Sequence, residues 1–182
     1  MPISIGRKKR RIIMPDVIKT VLDEQAVWDA LRDVPDPELP AISVVDMGIV
    51  RRVQVDAITS SVLVDITPTF AGCPALTQIR MSIQERLLRL AVHVEVNVTM
   101  QQIWTSDLLS AEARAKLRAV GIAPPPKVGR GRAISMLMSQ PLTCPYCGSQ
   151  QTSLENAFGP TPCRAIVYCA NCHQPFEQFK PI

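Results

Sequence analysis

The sequence predicts an α+β protein in two parts: a small domain of order α-β-β-α-β-α, then a β-ribbon folded around one metal ion. Apolar residues at helical spacing, β-branched stretches of strand length and two C-x-x-C pairs near the C-terminus carry that reading. A length of 182 residues suits one ordinary domain or two small ones, and 47% hydrophobic content supplies a core for at least part of the chain.

The first element is expected to be a helix starting near Asp16 or Thr20, with Val21, Leu22, Val27, Trp28 and Leu31 as its apolar stripe. It stops before Pro35, because a proline ring disfavours helical geometry in the residue ahead of it. Asp36-Pro37-Glu38-Leu39-Pro40 is too dense in proline for regular structure and reads as a rigid loop offering two carboxylates. Residues 49–55 and 61–67 are rich in β-branched side chains and form a hairpin. The loop 67–74 then opens a helix with Pro74 at or near its first position. In that helix Leu76, Ile79, Ile83, Leu87 and Leu90 recur at spacings of three and four, which builds one buried face. Val92, Val94, Val96, Val98 and Met100 alternate with polar residues, the pattern of a strand with one buried face. The last helix runs over about 110–120, with Ser106 or Ser110 as its N-cap and Gly121 placed to end it.

These elements divide the chain into a basic extension at 1–19, a first domain at 20–121, a linker at 122–142 and a ribbon at 143–182. The linker holds Pro124, Pro125 and Pro126 and then Gly129-Arg130-Gly131-Arg132, a stiff piece followed by a loose one. The net charge of +4 sits almost entirely in Arg7, Lys8, Lys9, Arg10 and Arg11; without them it is −1. Such an arm reads as a solvated terminal extension, or as a start placed upstream of Met14, rather than as a nucleic-acid binder. No stretch is long and apolar enough for a membrane span, and the N-terminus lacks the apolar core of a secretory signal. The cytoplasm is the expected compartment, and there six cysteines are thiols rather than three disulfides.

Cys144, Cys147, Cys169 and Cys172 form two knuckles at the spacing of a zinc ribbon. A module of about forty residues buries too little apolar surface to fold alone and needs such a staple. Five of the eight aromatic residues, Tyr146, Phe158, Tyr168, Phe176 and Phe179, lie here and are expected to pack around the ion. Zinc is the ion expected, in a structural role, since four sulfurs leave no open position. Four thiolates also suit a single iron or an iron-sulfur cluster, and spacing does not separate these. Cys163 and His173 are candidate further ligands, or small residues filling turns.

Cys73 sits just ahead of a helix, where unpaired N–H groups and the helix dipole favour an anion, so its thiol pKa is expected to fall. A reactive or metal-binding thiolate and a small buried side chain both fit this position. Asp36, Glu38 and Asp46 are candidate oxygen ligands or proton acceptors beside it, and equally candidate turn and capping residues. The only histidines are His93 and His173, and the chain holds no H-E-x-x-H, Gly-x-Ser-x-Gly or phosphate-binding glycine loop. Hydrolase chemistry is not expected. The ribbon carries only Arg164 and Lys180 as basic residues, too few to track phosphates.

Asp36-Pro37-Glu38-Leu39-Pro40, residues 43–50 and Ile66-Thr67-Pro68-Thr69-Phe70-Ala71-Gly72-Cys73-Pro74 resemble the metal-sulfur cluster assembly domain of SufT-type proteins. With Cys144-Pro145-Tyr146-Cys147-Gly148-Ser149, Phe158-Gly159-Pro160-Thr161-Pro162-Cys163 and residues 175–180, the chain resembles the PaaD family of the phenylacetyl-CoA epoxidase system over about 20–182. The resemblance implies that Cys73 is the reactive thiol and that the loop of Asp36 and Glu38 belongs to its site. It also implies protein partners in place of a substrate, namely the oxygenase and reductase components of the epoxidase. The implied role is non-enzymatic assistance in their maturation, with iron or an iron-sulfur cluster handled transiently, or else a docking subunit of the oxygenase. A homo-oligomer stays open.

Overall fold

The computed structural model describes residues 22–129 and 141–182. The basic extension 1–19 and the stretch holding Arg130, Gly131 and Arg132 lie outside the described residues. The first helix, α1 (Glu24–Arg32), begins later than the apolar stripe suggested, because the Asp23 carboxylate accepts from the Ala26 N–H and caps it. Val27, Ala30 and Leu31 form its buried face.

The proline-dense loop that follows is tied down rather than loose. Pro35 bridges Ser43, the Asp36 N–H donates to the Ile42 carbonyl at 2.9 Å, and Leu39, Ile42 and Val44 sink into the core. The hairpin β1 (Val50–Asp56) and β2 (Ser61–Ile66) is antiparallel, and β3 (His93–Val98) lies parallel to β2. A parallel neighbour requires a crossover, which α2 (Leu76–Leu87) supplies with Ile79, Ile83 and Leu87 buried. In β3 the buried side of the alternation is carried by Val94 and Val96, whereas Val92 is exposed just ahead of the strand. The helix α3 (Ala111–Ala119) has Ser110 as its N-cap, with the hydroxyl accepting from the Ala113 N–H, and Gly121 follows at φ +81°. The order is thus α-β-β-α-β-α, as the sequence predicts.

The second sheet departs from the expected division. Ile122–Ala123, at the start of the segment read as a linker, is a strand, β4, that pairs in parallel with β7 (Pro175–Phe179). The sheet order is β4-β7-β6-β5, with β6 (Arg164–Cys169) and β5 (Thr152–Asn156) completing it. The ribbon is therefore sewn onto the first domain. Phe179 is fully buried in the first domain's core against Trp104, and the carbonyl of Ile182 accepts from the Ser106 N–H.

The aromatic residues do not all gather at the cysteines. Phe176 packs with Cys144, Cys169, Val167 and Ala123, but Phe179 belongs to the other core. Three residues along a strand reverse the face, so one strand serves two cores. Phe158 and Tyr146 are exposed.

Candidate functional site

Two sites with different chemistry emerge. In the first, the hairpin turn 144–148 and the turn after β6 bring Cys144, Cys147, Cys169 and Cys172 together, with every sulfur within 4.8 Å of the others. The Cys144–Cys172 and Cys147–Cys169 sulfurs are 3.7 and 3.6 Å apart. A tetrahedron with metal–sulfur bonds of about 2.3 Å has sulfur edges of about 3.8 Å, so the donor set fits one four-coordinate ion. A two-iron cluster would splay the sulfurs into separate pairs. Gly148, at φ +74°, makes the turn that returns the chain after the first knuckle.

Electrostatics favour a cation here. The Ser149 N–H and the Asn171 amide hold the Cys147 thiolate, whose pKa falls to about 6, while burial lifts Cys172 to about 12. Four thiols cannot all ionise side by side without a cation between them. His173 turns away from the quartet, with its Nδ1 3.1 Å from the Tyr168 hydroxyl.

Cys163, read as either a further ligand or a small residue filling a turn, does not belong to this quartet. It packs on the core of the first domain, 3.2 Å from the Thr161 hydroxyl, and its thiol donates towards Glu38 Oε2 at 3.8 Å. The register of the ribbon decides this: Cys163 precedes β6 and Cys169 ends it, so the two stand at opposite ends of one strand.

The second site surrounds Cys73. Its loop is fixed by the Cys73 N–H donating to the Phe70 carbonyl and by Thr67, whose N–H reaches Ile49 and whose hydroxyl donates to the Thr99 carbonyl. The pKa of Cys73 moves up, not down as expected. Burial is the main cause; the Glu38 and Asp36 charges add to it, and N–H groups of Ala75 and Leu76 only partly offset them. The helix proper starts at Leu76, which weakens the dipole argument at Cys73. The side chain is half-buried and rests against the core.

Asp36 is 6% exposed, and its Oδ1 accepts from the N–H groups of Glu38 and Leu39 at 2.9 and 2.8 Å. Burial pushes its carboxyl up despite those bonds. It thus shapes the turn that presents Glu38 while lying close enough to act on Cys73. Asp46 is committed elsewhere. Its Oδ2 accepts from the Ser43 N–H and from Lys116 Nζ at 2.9 Å, which ties the loop after α1 to α3. Burial alone would raise its carboxyl, but Lys116 and Ser43 hold it below the usual range.

Cys73, Asp36 and Glu38 are singled out on local grounds, a thiol ahead of a helix and two carboxylates in a proline-dense loop. The sequence leaves Cys163 between a further ligand and a small residue filling a turn, since nothing in its spacing shows that it packs on the core of the first domain.

Comparison with known proteins agrees with this two-part construction. Residues 24–100 match the family described as iron-sulfur cluster assembly protein, and residues 134–180 match the PaaD zinc beta ribbon domain. An Escherichia coli (strain K12) protein named as a component of 1,2-phenylacetyl-CoA epoxidase is 34% identical over 157 residues, 86% of this chain and 92% of that one. The Fe-S protein maturation auxiliary factor SufT of Staphylococcus aureus (strain USA300) is 36% identical, covering 46% of this chain and 96% of its own. A solved domain of unknown function from Bacillus anthracis is 29% identical, covering 52% of this chain and 90% of that one, with a TM-score of 0.48. With both domain matches in order and a relative aligned along nearly its whole length, the chain belongs to the PaaD family, an iron-sulfur assembly domain joined to a zinc ribbon.

Proposed function

We propose that this protein is a non-catalytic accessory factor of a phenylacetyl-CoA epoxidase system, in which Cys73 helps place an iron or iron-sulfur centre in the oxygenase or reductase component. What supports this reading is a half-buried thiol, Cys73, that feels the charges of Glu38 and Asp36, with the thiol and the carboxylates on two anchored loops. Thiolate and carboxylate together suit ferrous iron better than they suit acyl or proton transfer, for which an aligned imidazole is the usual partner. Here His93 is exposed on β3 and His173 is bonded to Tyr168 in the ribbon. The names of the relatives, one an epoxidase component and one a maturation factor for iron-sulfur proteins, support the same role.

The ribbon ion is zinc in this reading, and its contribution is to cross-link the two knuckles. Clustered free thiols suit a reducing cytoplasm. Nucleic-acid binding is disfavoured further by the commitment of Arg164 to Glu177 at 2.6 Å.

The test is Cys73→Ser, co-expressed with the epoxidase components. Iron occupancy of those components and epoxidase activity should fall together. Full occupancy and full activity with the variant would sink the delivery role. Stable stoichiometric co-purification with the oxygenase, unaffected by the variant, would favour a docking subunit instead.

A further inference from the structure

Among the described residues, β3 is the one sheet edge that is both long and regular. The strand β1 is bulged between Val50 and Arg52, β5 between Leu154 and Asn156, and β4 is only two residues long. By contrast, β3 pairs with β2 in unbroken register from His93 to Val98. Bulges, short strands, prolines and edge charges are the usual protection against pairing with another chain, and β3 has only the Glu95 carboxylate, with no lysine, arginine or proline. On its β2 side the His93 N–H donates to the Ser60 carbonyl at 3.2 Å and the Thr99 N–H to the Ile66 carbonyl at 2.8 Å. Alternate residues of a strand turn their backbone groups to opposite sides, so Val94, Val96 and Val98 present theirs to the open edge. The Gln84 amide, reaching the Val94 carbonyl at 3.5 Å, marks that side. Along it Thr77, Arg80, Met81 and Gln84 of α2 enclose with β3 a groove of about 420 Å³, and Met81 is 64% exposed.

We propose that the open edge of β3 pairs with the β3 edge of a second copy of this chain, antiparallel across a two-fold axis, joining their three-stranded sheets into one. A two-fold contact must match itself, and β3 does so in one register. With the axis at Val96, Val96 opposes its own counterpart and Val94 opposes Val98, so outward backbone groups meet outward backbone groups. Glu95 then stands across from the second copy's Asn97, a carboxylate facing an amide donor. An axis at Glu95 would set two carboxylates face to face, and one at Asn97 would carry the pairing beyond Val98, where the strand ends. The same axis brings the two α2 flanks side by side over the joined sheet, where the Met81 side chains cover each other and fill the groove. This surface lies on α2 and β3 alone and is independent of the role assigned to Cys73.

The experiment is sedimentation of the full chain with zinc in the ribbon, from dilute solution up to about 100 µM, since one strand edge and one helix flank make a small, reversible interface. A monomer–dimer equilibrium is expected, and a monomer throughout overturns the proposal. Met81→Glu, which sets two carboxylates beside the axis, should weaken the dimer about tenfold or more. Asn97→Lys should tighten it a few-fold by facing Glu95, and adding Glu95→Lys should weaken it below wild type by setting lysine against lysine. All of these side chains are exposed in the single chain, and an unchanged melting midpoint in dilute solution shows that each variant is folded. A dimer indifferent to these changes uses another face, and loosening by Asn97→Lys alone refutes the register; either result overturns the proposal. Hydrogen exchange is the second measurement, in which the Val96 amide should gain protection as concentration rises. Full protection of that amide in the dilute monomer would mean that the same chain already covers the edge, and would overturn the proposal as well.

Discussion

Trp104 of the first domain and Phe179 of the last strand meet edge to face, 6.0 Å between ring centres and 63° between planes. Both are essentially inaccessible to solvent, and the Trp104 indole N–H donates to the Met47 carbonyl at 2.9 Å. This pair rivets the ribbon onto the first domain. Phe179→Ala should cost about 3–5 kcal/mol, the usual range for removing a buried aromatic ring. Denaturant titration measures it, and a loss below about 1 kcal/mol would mean that the two parts fold independently.

Removing the ribbon ion should be felt at Cys163. The strand β6 runs from Arg164, next to Cys163, to the metal ligand Cys169. A chelator that strips the ion should therefore speed alkylation of Cys163, read peptide by peptide by mass spectrometry, more than that of Cys73. Equal protection of Cys163 with and without the ion would show that the first domain alone holds it.

The Glu38 charge raises the Cys73 pKa, so Glu38→Gln should lower it. A lower pKa means more thiolate at a fixed pH near neutrality, and alkylation of Cys73 should quicken. Burial is the larger cause and stays in place, so the rate should remain below that of an exposed thiol. An unchanged pH–rate profile would remove Glu38 from the surroundings of Cys73.

Asp46 acts as a strut. Its folded pKa lies below the ordinary carboxylate value, so its contribution is present above the unfolded pKa and is lost as pH falls through the folded one. Asp46→Asn should destabilise the protein by about 1–2 kcal/mol at neutral pH, a value discounted for the partly exposed Lys116. The difference from wild type should shrink in acid, as denaturation at several pH values would reveal. A difference that is constant with pH would point to packing rather than charge.

Gly48 is demanded by its surroundings twice over. Its φ is +66°, and an added Cβ would lie 2.6 Å from the Leu108 carbonyl oxygen. Gly48→Ala should cost at least about 1–3 kcal/mol from the backbone conformation alone. A thermal midpoint equal to wild type would contradict the tight contact with the 106–108 turn.

Much of this architecture is written locally. Periodicities of 3.6 and 2 placed α2, β1, β2 and β3, and capping chemistry at Ser110 and Gly121 bounded α3, because these signals act over a few residues. The metal quartet was equally plain, since each knuckle is a local turn whose two sulfurs converge. The start of α1 was less so: the apolar stripe extends past the cap, and Asp23 decides where the helix begins.

What the sequence by itself determined, then, is the set of elements and the four clustered cysteines of the ribbon. Only the tertiary structure decided that Ile122–Ala123 is a strand of the ribbon sheet, that Phe179 fills the first domain's core and that Cys163 faces Glu38. It also reversed the pKa expected for Cys73, because burial and carboxylates from a distant loop outweigh a helix terminus that begins three residues later. The reason is the same in each case. Strand pairing, desolvation and charge proximity depend on which segments share space, and spacing along the chain does not encode that.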